Sequence, residues 1–311
     1  MHMPEAAPLP DSSTEVARAV RALLPGLRRI GSLTAVLIAV LAVAAGVLGV
    51  WGISLLMAGT DAQIPILGAA VCGGLIYWAH LGMIRRQEGM VMPVLASTVG
   101  LTYSKDAKAF IAGLPQRLLP KRGIRSGEDY VYGILGTHTI RMAEVKVETG
   151  GKNSRTLFQG LVAQFPNQVA MPAFFIALED KTRPGMFFGG DLSTEGLFHL
   201  RDVLTDGRRY GIWTSWSSVD EPPALAAVID VLTHIETHVG PGAQLYAATS
   251  NGEETHIALT HGRNLFRVGG MFIDENDLFR DVRGALQDLT VPLTLAQTLI
   301  SAEAAAVQKG A

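Results

Sequence analysis

Residues 33–57 read LTAVLIAVLAVAAGVLGVWGISLLM, and residues 64–84 read IPILGAAVCGGLIYWAHLGMI. The first run carries no charge, and His80 is the only acid, base or imidazole in the second. At about 1.5 Å per residue, each is long enough to cross a hydrocarbon core of roughly 30 Å. The link between them is Gly59-Thr60-Asp61-Ala62-Gln63, so the two helices must be antiparallel neighbours. A transmembrane hairpin is therefore predicted. A cleaved signal peptide has an apolar core of about 7–15 residues, shorter than the first run. Buried helices of a soluble protein are a second alternative, disfavoured by two nearly uncharged runs side by side.

Flanking charges orient the hairpin. Arg18, Arg21, Arg28 and Arg29 precede the first run, Arg85 and Arg86 follow the second, and the link holds Asp61 without a Lys or Arg. Basic residues stay on the cytoplasmic side, which puts both termini there. Small residues recur at Gly46, Gly49 and Gly52 and at Ala69 and Gly73, a spacing that suits close helix contact. His80, beside Trp78 and Tyr77, fits an interfacial aromatic belt better than a proton relay.

The division expected is residues 1–30 as a disordered and then amphipathic lead, 31–86 as the hairpin, and 87–311 as a cytoplasmic α+β domain. Charged residues are 17% of the chain, below the roughly 25% of soluble proteins, as a membrane portion would cause. The net charge of −2 gives no electrostatic case for a nucleic-acid partner. Cys72 is the one cysteine, which excludes an intrachain disulfide and a thiolate-rich metal site.

Residues 130–135, 139–148 and 156–165 read as strands joined by short turn-like links, hence an antiparallel meander, with a bulge expected near Ala143. Residues 174–178 and 210–216 add strands. Residues 194–204 read as a helix on the spacing of Leu197, Leu200 and Leu204. Residues 221–239 are the clearest helix, with Leu225, Val228, Ile229, Leu232, Ile235 and Val239 on one face. Asn251-Gly252, between residues 244–250 and 254–261, favours a type I′ hairpin turn. Residues 276–289 and 293–307 are helical, with Pro292 expected to break between them. Strands and helices in this mixed order specify α+β.

The run Glu128-Asp129-Tyr130-Val131-x-Gly133, then Glu144, then Thr156-Leu157-Phe158-Gln159-Gly160-Leu161, resembles a bacterial family of unknown function. Residues 248–250 and 264–268 resemble that family's closing hairpin and the strand after it. The resemblance implies two N-terminal transmembrane helices and a soluble domain with an F-x-G-L strand. Between about residues 170 and 210 this chain departs from the pattern. The family has no established activity, so the resemblance implies no site residues.

Motifs for chemistry are sparse. His234-Ile235-Glu236-Thr237-His238 places glutamate one residue away from its position in a zinc-protease helix, and both histidines fall outside the apolar stripe. Gly150-Gly151-Lys152-Asn153-Ser154 lacks the first glycine of a phosphate loop and reads as a turn. Glu128-Asp129 and Glu253-Glu254 read as solvated turn charges. Phe187, Phe188, Gly189 and Gly190, with Trp213 and Trp216, could offer an aromatic surface, with core packing the default. No catalytic residue, cofactor or metal is assigned. Lys105, Lys108, Arg117, Lys121, Arg122 and Arg125 follow the second run closely and are the candidates for contact with an anionic membrane surface. The expected function is a membrane-anchored scaffold or partner-binding module. The alternatives are a lipid-surface sensor and an unrecognised enzyme.

Overall fold

The computed structural model describes residues 12–135, 138–151, 154–179, 192, 194–205, 207–218, 220–239, 243–261 and 265–310. The chain forms two compact units. One comprises Met1–Val99 and Phe266–Leu286, and the other Gly100–Leu265 and Gln287–Ala311.

In the first unit, helix α1 (Ser12–Met57) and helix α2 (Gln63–Thr98) form the hairpin. Residues 12–15, expected to be disordered, already belong to α1, and residues 1–11 lie outside the described residues. Both helices are long and apolar enough to cross a membrane, and the most apolar 18-residue window of each is 0% and 6% buried. Side chains such as Val36, Val40, Val47 and Trp51 on α1, and Leu67, Val71 and Trp78 on α2, are exposed. A soluble core helix would bury them. Gly52 and Gly68 lie at the helix contact, where a Cβ would fall 3.0 Å from Ile66 and Leu48 respectively. Gly46, Gly49 and Gly73 face open space, so the small-residue face expected through Ala69 and Gly73 is not the packed one.

Outside the apolar runs, both helices become amphipathic. Val16, Val20, Leu24 and Leu27 are buried on α1, and Gln87, Val91 and Leu95 on α2, each at helical spacing. The segment Phe266–Leu286 adds Phe266, Val268, Ile273, Leu278 and Val282 to this core. Each such side chain contributes on the order of 1.5–3 kcal/mol when fully buried. The exposed Arg21–Glu275 pair, 2.6 Å apart, adds at most about 1 kcal/mol, so apolar burial dominates.

The second unit is built on a nine-stranded antiparallel sheet in the order β1-β2-β3-β4-β9-β8-β5-β7-β6. The strands are β1 (Leu101–Asp106), β2 (Ile124–Leu135), β3 (His138–Glu148), β4 (Thr156–Pro166), β5 (Phe174–Leu178), β6 (Phe198–Thr205), β7 (Arg208–Thr214), β8 (Gln244–Ser250) and β9 (Glu254–Thr260). Helix α3 (Lys108–Ala112) follows β1, while α4 (Pro223–Thr233) and α5 (Ile235–Val239) follow β7. Helix α6 (Glu275–Gly310) starts in the first unit and ends in the second. Successive strand residues point to opposite faces. One face collects Ala143, Val145, Val147, Phe158, Val162, Phe175, Tyr246 and Ala258 in a core with Phe110, Ile111, Leu114, Leu118 and Leu119. The other carries buried Ile140, Met142, Leu161, Ile176, Ile212 and Ile257.

The α+β class and the meander are as expected; four local features differ. The segment expected to be helical around Leu197 contributes strand β6, paired with β7. Leu200 and Leu204 are four apart, a spacing that period 2 satisfies as well as period 3.6. The helix expected over 221–239 divides at His234 into α4 and α5. Pro292 does not break α6; it lies inside it, between buried Leu289 and Leu293. Gly252 has φ of +100°, but Asn251 does not adopt positive φ, so the turn is not type I′. The Asn251 Oδ1 instead accepts from the backbone N–H of Glu253 and Glu254, at 2.9 and 2.8 Å.

Gly160, in the F-x-G-L strand, pairs with Thr260. A Cβ there would fall 1.8 Å from the Leu259 carbonyl oxygen, which is backbone and cannot rotate away. Gly160→Ala should therefore force β4 and β9 apart and cost at least about 1–3 kcal/mol, the usual scale of overpacking. Thermal or denaturant unfolding of the purified protein measures this, and an unchanged midpoint would refute the close approach.

Candidate functional site

The basic residues of the 105–125 region lie on different elements: Lys105 on β1, Lys108 on α3, Arg117, Lys121 and Arg122 in the connection that follows, and Arg125 on β2. Lys105, on β1, places its Nζ 2.9 Å from Asp129 Oδ1 and 3.2 Å from Glu128 Oε2. Arg125 Nη2 donates to the carbonyls of Gln116, Leu119 and Pro120, each at 3.4 Å, and burial lowers its pKa. It braces the connection from α3 to β2. Arg117 Nη2 donates to the Glu195 carbonyl at 3.3 Å. Lys108, Lys121 and Arg122 are exposed. Arg117, Lys121 and Arg122 lie in the connection from α3 to β2, to which Arg125 of β2 bonds, while Lys105 belongs to a different cluster.

That cluster holds one buried acid, Asp129, whose burial sequence reasoning missed. Between Glu128↔Glu144 and Val131↔Met142, two residues of β2 oppose the single residue Ala143 of β3. The bulge expected near Ala143 is therefore present, with its extra residue on the facing strand. Asp129 occupies it with φ of +58°, a conformation Asp tolerates better than most residues. Its residue exposure is 2%, so it is not a solvated turn charge. The Tyr103 hydroxyl and the Lys105 ammonium both donate to Asp129 Oδ1. Burial raises the Asp129 pKa, while Lys105 and Tyr103 pull it back. Dispersed positions 103, 105 and 129 left no spacing signal to find.

Glu144 stands on β3 as the Cα partner of Glu128. It is 6% exposed, and its Oε2 accepts the backbone N–H of Leu265 at 3.0 Å. Burial first, and then the charges of Asp129 and Glu128, push its pKa from 4.5 up to about 8. The Leu265 N–H and the Gln159 side chain act in the opposite direction. At neutral pH the carboxyl is therefore largely protonated. Such a group can act as a general acid where substrate reaches it. It also fastens the end of the β9 connection at Leu265 to the sheet.

A separate cavity of about 190 Å³ is lined by Thr139, Arg141, Gln164, Phe165, Pro166 and Glu254. Gln164 Nε2 donates to Glu254 Oε2 at 2.8 Å. His256, the cross-strand partner of Gln164, is buried, and its pKa is lowered by burial and raised in part by Glu254. The cavity is smaller than the roughly 300–1,000 Å³ of drug-sized ligand sites, and neither Glu144 nor Asp129 lines it.

The remaining motifs are accounted for locally. His234 Nδ1 lies 2.9 Å from the Asp230 carbonyl oxygen at the α4–α5 break, so its spacing to His238 is not that of one continuous helix. No group of three His, Cys, Asp or Glu able to hold a metal occurs among the described residues. The turn at residues 149–155 is closed by the Thr149 N–H donating to the Arg155 carbonyl at 2.9 Å, and Lys152 and Asn153 lie outside the described residues. Phe187, Phe188, Gly189 and Gly190 also lie outside them. Trp213 packs 5.6 Å from Phe175, and the partly exposed Trp216 donates its indole N–H to the Asp220 carbonyl at 2.8 Å.

No protein-family model matches the sequence, and no curated protein matches it. Among solved structures, the crystal structure of the mycobacterial trehalose monomycolate transport factor A, TtfA, is similar over 66% of this chain and 96% of that chain. The identity is 11% and the TM-score 0.35. At that level the likeness assigns neither fold nor function.

Glu144 yields a pH prediction. Its folded pKa lies above its unfolded value, so the folded state holds a proton that the unfolded state has lost between pH 4.5 and about 8. Its contribution to stability should fall with rising pH through that window and level off above it. Glu144→Gln keeps the shape and removes the titration. The variant should gain stability over wild type as pH rises from 5 to 8, by on the order of 1–3 kcal/mol, the cost scale of an imperfectly paired buried polar group. Unfolding midpoints that track each other across that range would refute the assignment.

Proposed function

We propose that this protein is a membrane-anchored scaffold or partner-binding module. Helices α1 and α2 cross a bacterial inner membrane, and both termini and the sheet unit are cytoplasmic. The observation that carries the anchoring is the exposed apolar surface of the two helices over their most apolar windows. Leaving such surface in water costs about 25 cal/mol per Å². Hydrocarbon removes that cost, and a helix satisfies its own backbone there. The positions of Arg28, Arg29, Arg85 and Arg86 support the orientation.

The sheet supports the partner-binding half. Its outer strand β6 exposes Phe198 and Leu204, and near the opposite edge β2 exposes Ile124, Tyr132 and Ile134. An outer strand offers unpaired backbone groups to an added strand, and exposed apolar side chains beside them add contact area. The lipid-surface reading retains one specific support, the exposed Lys108, Lys121 and Arg122. Each basic residue near an anionic leaflet contributes about 1 kcal/mol.

Reporters fused at Arg29 and after Ala311 should give cytoplasmic signals, and one inserted at Asp61 a periplasmic signal. A periplasmic C-terminus overturns the orientation. A photo-crosslinking residue placed at Leu204 should trap a defined protein adduct in native membranes, lost on adding Phe198→Asp. Adducts with lipid alone would favour the surface-sensing alternative, and an absence of adducts would remove the support that β6 gives to partner binding.

A further inference from the structure

The segment that rejoins the hairpin carries an apolar side chain nothing in its unit covers. Phe272 is 79% exposed, in the short stretch Gly269-Gly270-Met271-Phe272-Ile273. The stretch is nonetheless fastened at three points. Gln87 Nε2, from α2, donates to the Gly270 carbonyl at 3.0 Å and to the Leu27 carbonyl of α1 at 3.1 Å. Arg28 Nε donates to the Ile273 carbonyl at 3.4 Å. The Met271 carbonyl packs on α1 at Gly31, where a Cβ would fall 2.4 Å from its oxygen. All these residues belong to one unit.

These contacts fix the height of Phe272 along the hairpin. Gly31 is two residues before Leu33, where the exposed apolar run of α1 begins. That separation is about 3 Å of helix rise. Arg28 and Arg29, on one side of Gly31, and Arg85 and Arg86, beside Gln87, mark the polar side of the same level. An exposed ring held between the last arginines and the first exposed aliphatics is at the depth where bilayers accept aromatic side chains.

We propose that Met271 and Phe272 form a third membrane contact, with Phe272 inserted into the interfacial region of the same leaflet that α1 enters. The occupant of this exposed surface is lipid, because the surface continues that of the two helices. The contact would seat the start of α6 at the membrane surface. The inference rests on the membrane-crossing reading of α1 and α2.

The test uses the full chain in liposomes, with Cys72→Ser and single spin-labelled cysteines in place of Phe272 and, as a span reference, Val36, itself 64% exposed. Oxygen partitions into lipid, and a nickel chelate stays in water. The label at 272 should show oxygen accessibility above nickel accessibility, shallower than at 36. Dominant nickel accessibility at 272 refutes the insertion. Low accessibility to both also refutes it, since the ring would then be covered by protein. A label at 36 without oxygen preference refutes the membrane-crossing reading instead. As an independent measurement, Phe272→Trp in the full chain should gain fluorescence quenched by lipids brominated near the headgroup, relative to wild type, and no added quenching refutes the insertion.

Discussion

One buried carboxamide joins three stretches of chain. Gln87 on α2 bridges the carbonyls of Leu27 on α1 and Gly270 on the returning segment, residues 60 and 183 positions away in sequence. Its Nε2 donates to both, each bond worth about 0.5–1.5 kcal/mol net. Its own Oε1 has no hydrogen-bond partner, so the arrangement is not free of cost. Gly269 allows it, because a Cβ there would fall 2.4 Å from that oxygen. Directionality is what the carboxamide adds. Leu24, Leu27, Met92 and Val268 are among the buried apolar side chains of this unit, and apolar burial alone would leave the segment free to slide along the helices.

The return of the chain changes what the hairpin is. Two apolar helices alone would be an anchor. With Phe266–Leu286 packed beside them, the anchor has a folded base that includes the beginning of α6, whose later turns belong to the sheet unit. In that base Arg21 pairs with Glu275 and stands 5.4 Å from the Phe279 ring, and Arg28 holds the Ile273 carbonyl. Arg21 and Arg28 thus position the segment at the foot of the hairpin.

In the sheet unit, the acids Asp129, Glu144 and Glu303 are buried. The β2 bulge turns Asp129 inward, and Lys105 and Tyr103 supply the charge and the donor that make its burial tolerable. Burial first, and then the charges of Asp129 and Glu128, raise the pKa of Glu144 beside it, against the pull of the Leu265 N–H and Gln159. At the far end of α6, Glu303 follows the same logic. It is buried, accepts from the backbone N–H of Gln168 at 2.6 Å and of Val169 at 3.3 Å, and has its pKa raised by burial. Glu144 and Glu303 each tie a loop to regular structure, while Asp129 joins β2 to β1.

The two apolar runs, the meander of β2, β3 and β4, the β8–β9 hairpin and the apolar stripe of α4 were legible in the sequence because each is a local period or a local turn signal. Gly252 was legible too, as a residue that tolerates positive φ. Tertiary structure decided the rest. Leu200 and Leu204 fit two periods, and pairing with β7 selected the strand. Pro292 lost its power to break a helix because buried neighbours on both sides hold α6 together. The bulge took its extra residue from β2 and not from β3, which buried Asp129, and no spacing between Tyr103, Lys105 and Asp129 announces that meeting. Nor could periodicity show that residues 266–286 pack with the first helices, since that choice depends on which apolar face they cover. A sequence records which residues seek burial and at what interval, while their partners are settled only when distant segments compete for the same surface.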